Sequence, residues 1–69
     1  MPISGKQAIK ILQSHGFVVS RQRGSHVVLI RISNNRKRIT VVPNHKELQK
    51  GTLGSIARQS GIDKKELGL

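Results

Sequence analysis

Three histidines, three carboxylates and thirteen Lys plus Arg are the reactive inventory of this 69-residue chain. The carboxylates are Glu47, Asp63 and Glu66. The first of them follows a long basic stretch with no compensating acid, from Lys6 and Lys10 through Arg21, Arg23, Arg31, Arg36, Lys37 and Arg38 to Lys46. Two-metal phosphoryl chemistry needs several carboxylates to hold hard cations, and Asp63 and Glu66 are better explained as helix caps. A Ser-His-Asp arrangement lacks an acid in the β-rich region to orient a histidine. No cysteine is present, which removes disulfides, thiolate zinc sites and a cysteine nucleophile. No Gly-rich phosphate loop of the Walker type occurs. The residues that remain suit chemistry that needs no metal. In RNA the 2′-OH lies beside the scissile phosphate and attacks it when a general base, a general acid and nearby cations are supplied. Histidine suits the proton transfers, because its unperturbed pKa is about 6.5. Lys and Arg suit the developing phosphorane charge.

The histidines differ in position. His26 follows Gly24-Ser25 at the head of a strand-like run, with Arg21 and Arg23 just before it. On spacing alone, the plainer reading of His26 as a partly buried strand residue with a satisfied hydrogen bond is preferred to a catalytic one. His45 follows Pro43-Asn44 in a polar loop, near a phosphate or simply solvated. His15 falls in the last turn of the first helix, where its protonated form favours the helix C-terminus. Gly51 and Thr52, beside Lys50, read equally as a plain helix start and as a phosphate-binding one.

The net charge of 13 − 3 = +10 implies a polyanionic partner, because a surface kept only for solubility mixes both signs. Phe17 is the sole aromatic residue, so stacking several bases on an aromatic platform is excluded. The longest apolar run, Val27 to Ile30, is far too short to span a membrane. The segment Met1-Pro2-Ile3-Ser4-Gly5-Lys6 has no signal-peptide core. A cytoplasmic location without membrane or metal partners is expected.

These residues need elements to place them, and the length fits one domain, 1–69. Ser4-Gly5-Lys6-Gln7 reads as a capping box that opens an amphipathic helix at about 4–15. Ala8, Ile9, Ile11 and Leu12 form its apolar stripe, and Gly16 is its left-handed stop. Phe17 to Ser20 begins a β-rich region. Ser25 to Ile32 is apolar on both parities and reads as a central strand buried on much of both faces. Gly24 suggests a tight turn or bulge between the two. Ser33 to Lys37 is a polar turn cluster, and Arg38 to Val42 is a third strand ended by Pro43. Leu53, Ile56 and Ala57 predict a second helix starting near Gly51-Thr52. Gly61 would end it, with Ile62 packing back in a Schellman motif. Asp63 to Glu66 reads as a second capping box, opening a terminal turn that docks Leu67 and Leu69. The expected fold is α+β, in the order α-β-β-β-α. It is a three-stranded antiparallel sheet with both helices on one face, the layout of double-stranded-RNA-binding domains.

Three segments carry a family resemblance. Arg21-Gln22-Arg23-Gly24-Ser25-His26 resembles the R-Q-x-G-S-H signature of HicA proteins, the toxin halves of HicAB toxin–antitoxin pairs. Val41-Val42-Pro43-Asn44-His45 resembles their V-V-P-x-H segment, and Lys50-Gly51-Thr52-Leu53 with Ile56 resembles their K-x-G-T-L-x-x-I helix start. The resemblance implies a metal-independent endoribonuclease, an mRNA interferase that arrests translation, with no cofactor and with a HicB-like antitoxin covering its active site. It also implies that His26 is catalytic, reversing the reading from spacing. Contacts to RNA are then expected from Arg21, Arg23, Gly24, Ser25, Arg36, Lys37, Arg38, His45, Lys46 and Lys50. Many members have a second histidine after the G-S-H triplet, where this chain has Val27. The proton for the leaving oxygen then falls to His45, a lysine or water. The alternatives are a non-catalytic double-stranded-RNA-binding module and, less supported by the helix spacing, a DNA-binding regulator.

Overall fold

A computed structural model describes residues 3–69. Met1 and Pro2, which begin the segment read above for a signal peptide, lie outside the described residues. The elements run α1 (Gly5–Ser14), β1 (Val18–Arg23), β2 (His26–Ser33), β3 (Arg36–Pro43), α2 (Lys50–Ser60) and a 3₁₀ turn (Lys64–Leu67). The three strands form one antiparallel sheet in the order β1-β2-β3. The α-β-β-β-α arrangement expected from periodicity is therefore the one observed.

Local chemistry sets the boundaries. Ser4 Oγ accepts from the Gln7 N–H at 3.1 Å, and Gln7 Oε1 accepts from the Ser4 N–H at 2.8 Å, so the capping box opens α1 as expected. The helix ends at Gly16, whose φ of +91° is cheap only for glycine. The β1–β2 turn places Gly24 at φ +56° with Ser25 at negative φ, the pattern of a II′ hairpin. At the β2–β3 turn Asn34 and Asn35 both have positive φ (52° and 62°), the pattern of a type I′ turn. The irregularity in β1 lies between Val19 and Arg21 rather than at Gly24.

Both helices lie on one face of the sheet. Leu12 of α1, Leu53 and Ile56 of α2, and Phe17 close over Val27 and Leu29 of β2 and Val42 of β3. The expectation of a central strand buried on both faces is not met. Both helices pack on the same side of the sheet, so alternate residues of β2 face the uncovered side. Across the ladders this open face carries Val18, Val28, Ile30, Ile32, Ile39 and Val41, and four of them are well exposed, at 63% for Val18, 73% for Ile32, 47% for Ile39 and 39% for Val41. β1 lies beyond the shelter of the helices, and all six of its residues are exposed.

The chain's end departs from expectation in three details. Gly61 donates to Ala57 O at 2.9 Å, and the Ile62 N–H donates to Ser60 Oγ, so Ile62 is buried without the Schellman bond. Asp63 accepts from the Lys65 N–H, but Glu66 does not return to cap Asp63. Its carboxylate accepts instead from His15 Nε2 at 2.8 Å, tying the terminal turn to the end of α1. Leu67 is fully buried, whereas Leu69 is 39% exposed.

Candidate functional site

The tight turn at Gly24-Ser25 makes His26 the first residue of β2. It pairs with Arg23 on one side and with Pro43 on the other. Directly opposed residues of an antiparallel ladder share a face. His26 and Arg23 therefore both lie on the open face, and Arg21, opposite Val28, lies on it too. His26 is exposed, and among the described residues its ring makes no hydrogen bond. The reading of His26 as a partly buried, satisfied strand residue does not hold.

The segment after β3 is held against this turn by backbone bonds. The Asn44 N–H donates to Ser25 O at 2.6 Å, the Gly5 N–H to His45 O at 2.8 Å and the Leu48 N–H to Ile3 O at 2.9 Å. Gly5 is buried there because a side chain would overlap the Pro43 carbonyl and sit 2.8 Å from Asn44 Cα. A cleft of about 290 Å³ results, lined by Ser4, Lys6, Asn44, His45 and Lys46. Tertiary structure thus brings His45 and Lys46 together with a cation the sequence reading did not single out, Lys6. The capping box signals that Lys6 lies in the first turn of α1, but nothing local shows that this turn meets the segment after Pro43.

Other expected contacts are elsewhere. Lys50 begins α2 and lines a cleft of about 390 Å³ with Leu53, Gly68 and Leu69. Arg36, Lys37 and Arg38 lie at the far end of the sheet. Arg36 pairs with Ser33, seven residues from His26 along β2, or about 23 Å at the usual strand rise. Lys37, opposite Ile32, is on the open face, and Arg38, opposite Arg31, is on the helix face. The α2 N-terminus has no side-chain cap, because Gln49 makes no bond there.

Among the described residues, no group of three or more His, Cys, Asp or Glu is placed to hold a metal ion. The one ion pair among them is His15–Glu66, remote from His26. No helix among them is long and apolar enough to cross a membrane.

Fold and site together define a small, strongly basic α+β protein with a histidine presented at the head of its central strand. The chain belongs to the HicA toxin family: a family model described as "HicA toxin of bacterial toxin-antitoxin" matches residues 5–62. The match runs from the first residue of α1 to the buried Ile62, and so includes the His26 turn and the segment after β3. No curated protein matches the chain.

Proposed function

We propose that this toxin is a metal-independent endoribonuclease that cleaves mRNA and so inhibits translation, with His26 as its catalytic histidine. The observation that carries this reading is the pairing of His26 with Arg23: an exposed imidazole with no competing hydrogen bond, directly opposite an arginine on the same open face. As general base, His26 takes the proton of the 2′-OH. The 2′-oxygen then bonds to phosphorus, the bond from phosphorus to the 5′-oxygen breaks, and an acid protonates that oxygen. The products are a 2′,3′-cyclic phosphate and a free 5′-hydroxyl, and no cofactor takes part. Arg21, Arg23 and Lys46 position the phosphate and stabilise the phosphorane charge, and Gly24 and Ser25 shape the turn against which it rests. His45, a lysine or water supplies the second proton.

The antitoxin partner that the family implies is HicB-like and covers His26. The open face supports this placement, since its exposed valines and isoleucines are bordered by Arg21, Arg23 and Lys37. Such a surface fits an acidic partner with apolar residues at its centre. A second copy of this chain would place like charges against one another.

The test compares RNA cleavage by the isolated chain and by His26→Ala, each with chelator present. A positioned acid–base group typically contributes about 10²–10⁴-fold, and a loss of that size is expected. Full activity in the variant, or wild-type activity abolished by chelator, overturns the proposal. RNA bound but left intact by the wild type points instead to a non-catalytic double-stranded-RNA-binding module.

A further inference from the structure

Arg31 and Arg38 are direct partners in the β2–β3 ladder. Like charges placed directly opposite destabilise a sheet, yet both side chains are held in place. Arg31 Nη1 donates to His15 O at 3.2 Å, and its guanidinium lies over the Phe17 ring, 5.0 Å from the centroid. Arg38 Nη1 donates to Gln59 O at 3.4 Å, and its guanidinium packs on Gly61, where a Cβ would come within 3.0 Å of Cζ. Each arginine is thus anchored by a backbone carbonyl at the end of a different helix, where the helix dipole is negative. Arg36, two residues before Arg38, joins them on the same face.

Among the described residues, no carboxylate forms an ion pair with these arginines. The cleft formed here, about 440 Å³, is lined by Arg31, Ser33, Asn34, Arg36 and Arg38. Asp63 caps the terminal turn and Glu66 is paired with His15. Arg31 Nε is buried and has no hydrogen-bond partner among the described residues. That N–H is closed off inside the fold, so a ligand in the cleft meets the outer edges of the guanidinium groups. Anchored guanidinium forks suit the paired oxygens of a phosphate.

We propose that Arg31, Arg36 and Arg38 form a second phosphate-binding site, on the helix-bearing face of the sheet and separate from the His26 site. Arg31 is five residues from His26 along β2, about 16 Å, and on the opposite face. The phosphate belongs either to the backbone of an RNA that also reaches His26, or to a free phosphorylated small molecule. Only the first source rests on the ribonuclease reading.

The experiment titrates inorganic phosphate into the full chain and follows the backbone amides and arginine Nε–H signals by NMR. Saturable shifts at Arg31 Nε–H and around Asn34 to Arg38 are expected, with a binding curve distinct from that of any shifts at His26, whose own site also takes phosphate. Arg36→Gln, at an exposed residue, and Arg38→Lys, which keeps the charge and loses the fork, should each weaken phosphate binding about tenfold. Thermal unfolding of both variants checks that the fold is retained. Non-saturating shifts spread over every basic residue overturn the site. So does unchanged phosphate binding in both variants, or displacement by polyglutamate but not by phosphate. Two further arms use the His26→Ala chain, which leaves RNA uncut. If the source is RNA, Arg38→Lys weakens a twelve-nucleotide RNA about tenfold, and Arg36→Gln lowers the salt slope by about one. If the source is a free ligand, a nucleoside diphosphate saturates the site and RNA affinity is unchanged. Because binding is read without cleavage, a chain that binds phosphate here and fails to cut RNA overturns only the ribonuclease reading.

Discussion

His26 stands directly opposite Arg23 across the two-residue Gly24-Ser25 turn, and both side chains share the sheet face that no helix covers. A cation in that register is well placed to stabilise charge on a phosphate whose adjoining ribose 2′-OH reaches the imidazole. Arg23→Gln keeps the length and removes the charge. Charge-assisted hydrogen bonds are worth about 1.5–3 kcal/mol, so RNA cleavage should fall roughly 10- to 100-fold. Single-turnover cleavage rates measure it, and an unchanged rate would remove Arg23 from the site.

Gly5 offers a test of packing in which the sign decides. In an ordinary helix Gly→Ala stabilises by up to about 1 kcal/mol. Here the added methyl would overlap the Pro43 carbonyl and approach Asn44 Cα and His45 N. Gly5→Ala should therefore destabilise, by about 1–3 kcal/mol as overpacking does. It should also lower RNA cleavage, because the displaced segment carries His45 and Lys46. Urea unfolding reads the first effect, and a variant more stable than wild type would contradict the close packing.

The ion pair of His15 with Glu66 should matter little. Both side chains are substantially exposed, at 34% and 48%, and exposed pairs are worth about 0–1 kcal/mol. Glu66→Gln should lower the melting temperature by no more than about 8 °C, given about 4–8 °C per kcal/mol for a domain of this size. A larger drop in a thermal scan would mean that this contact, rather than burial of Leu67, holds the terminal turn.

Ile39 lies on the open face, at the non-catalytic end of the proposed antitoxin surface. Placing a like charge against an acidic partner costs affinity and removes apolar burial. Ile39→Glu should weaken antitoxin binding at least tenfold, as read by isothermal titration. Unchanged affinity would move the partner off this face.

Much of the fold is legible in the chain. The Ser4–Gln7 box and Gly16 bound α1, the two asparagines and Gly24 mark the hairpin turns, and Gly61 stops α2. Each is a local signal whose physics involves residues a few positions apart. Where the structure differs from the local signals, the deciding partner is distant in sequence. Glu66 has the spacing of a cap, but His15, fifty-one residues away in sequence, offers it a better bond. The apolar residues on both parities of β2 suggest two covered faces, but both helices pack on the same one.

The site divides in the same way. The R-Q-R-G-S-H run by itself places His26 near the head of a strand with arginines before it, and the structure adds that the turn is the two residues Gly24-Ser25. The carboxylate count by itself turns the expected chemistry from metals toward the 2′-OH. Only the tertiary structure decides that His45 and Lys46 share a cleft with Lys6, and that Arg36 and Arg38 join Arg31 on the other face rather than His26. The physical reason is the antiparallel ladder. Sequence alternation says that neighbouring side chains point opposite ways, but register and the side chosen by the helices determine which cations meet. That choice is made by burial of Leu12, Leu29, Leu53 and Ile56 in a common core, through contacts between residues far apart in the chain.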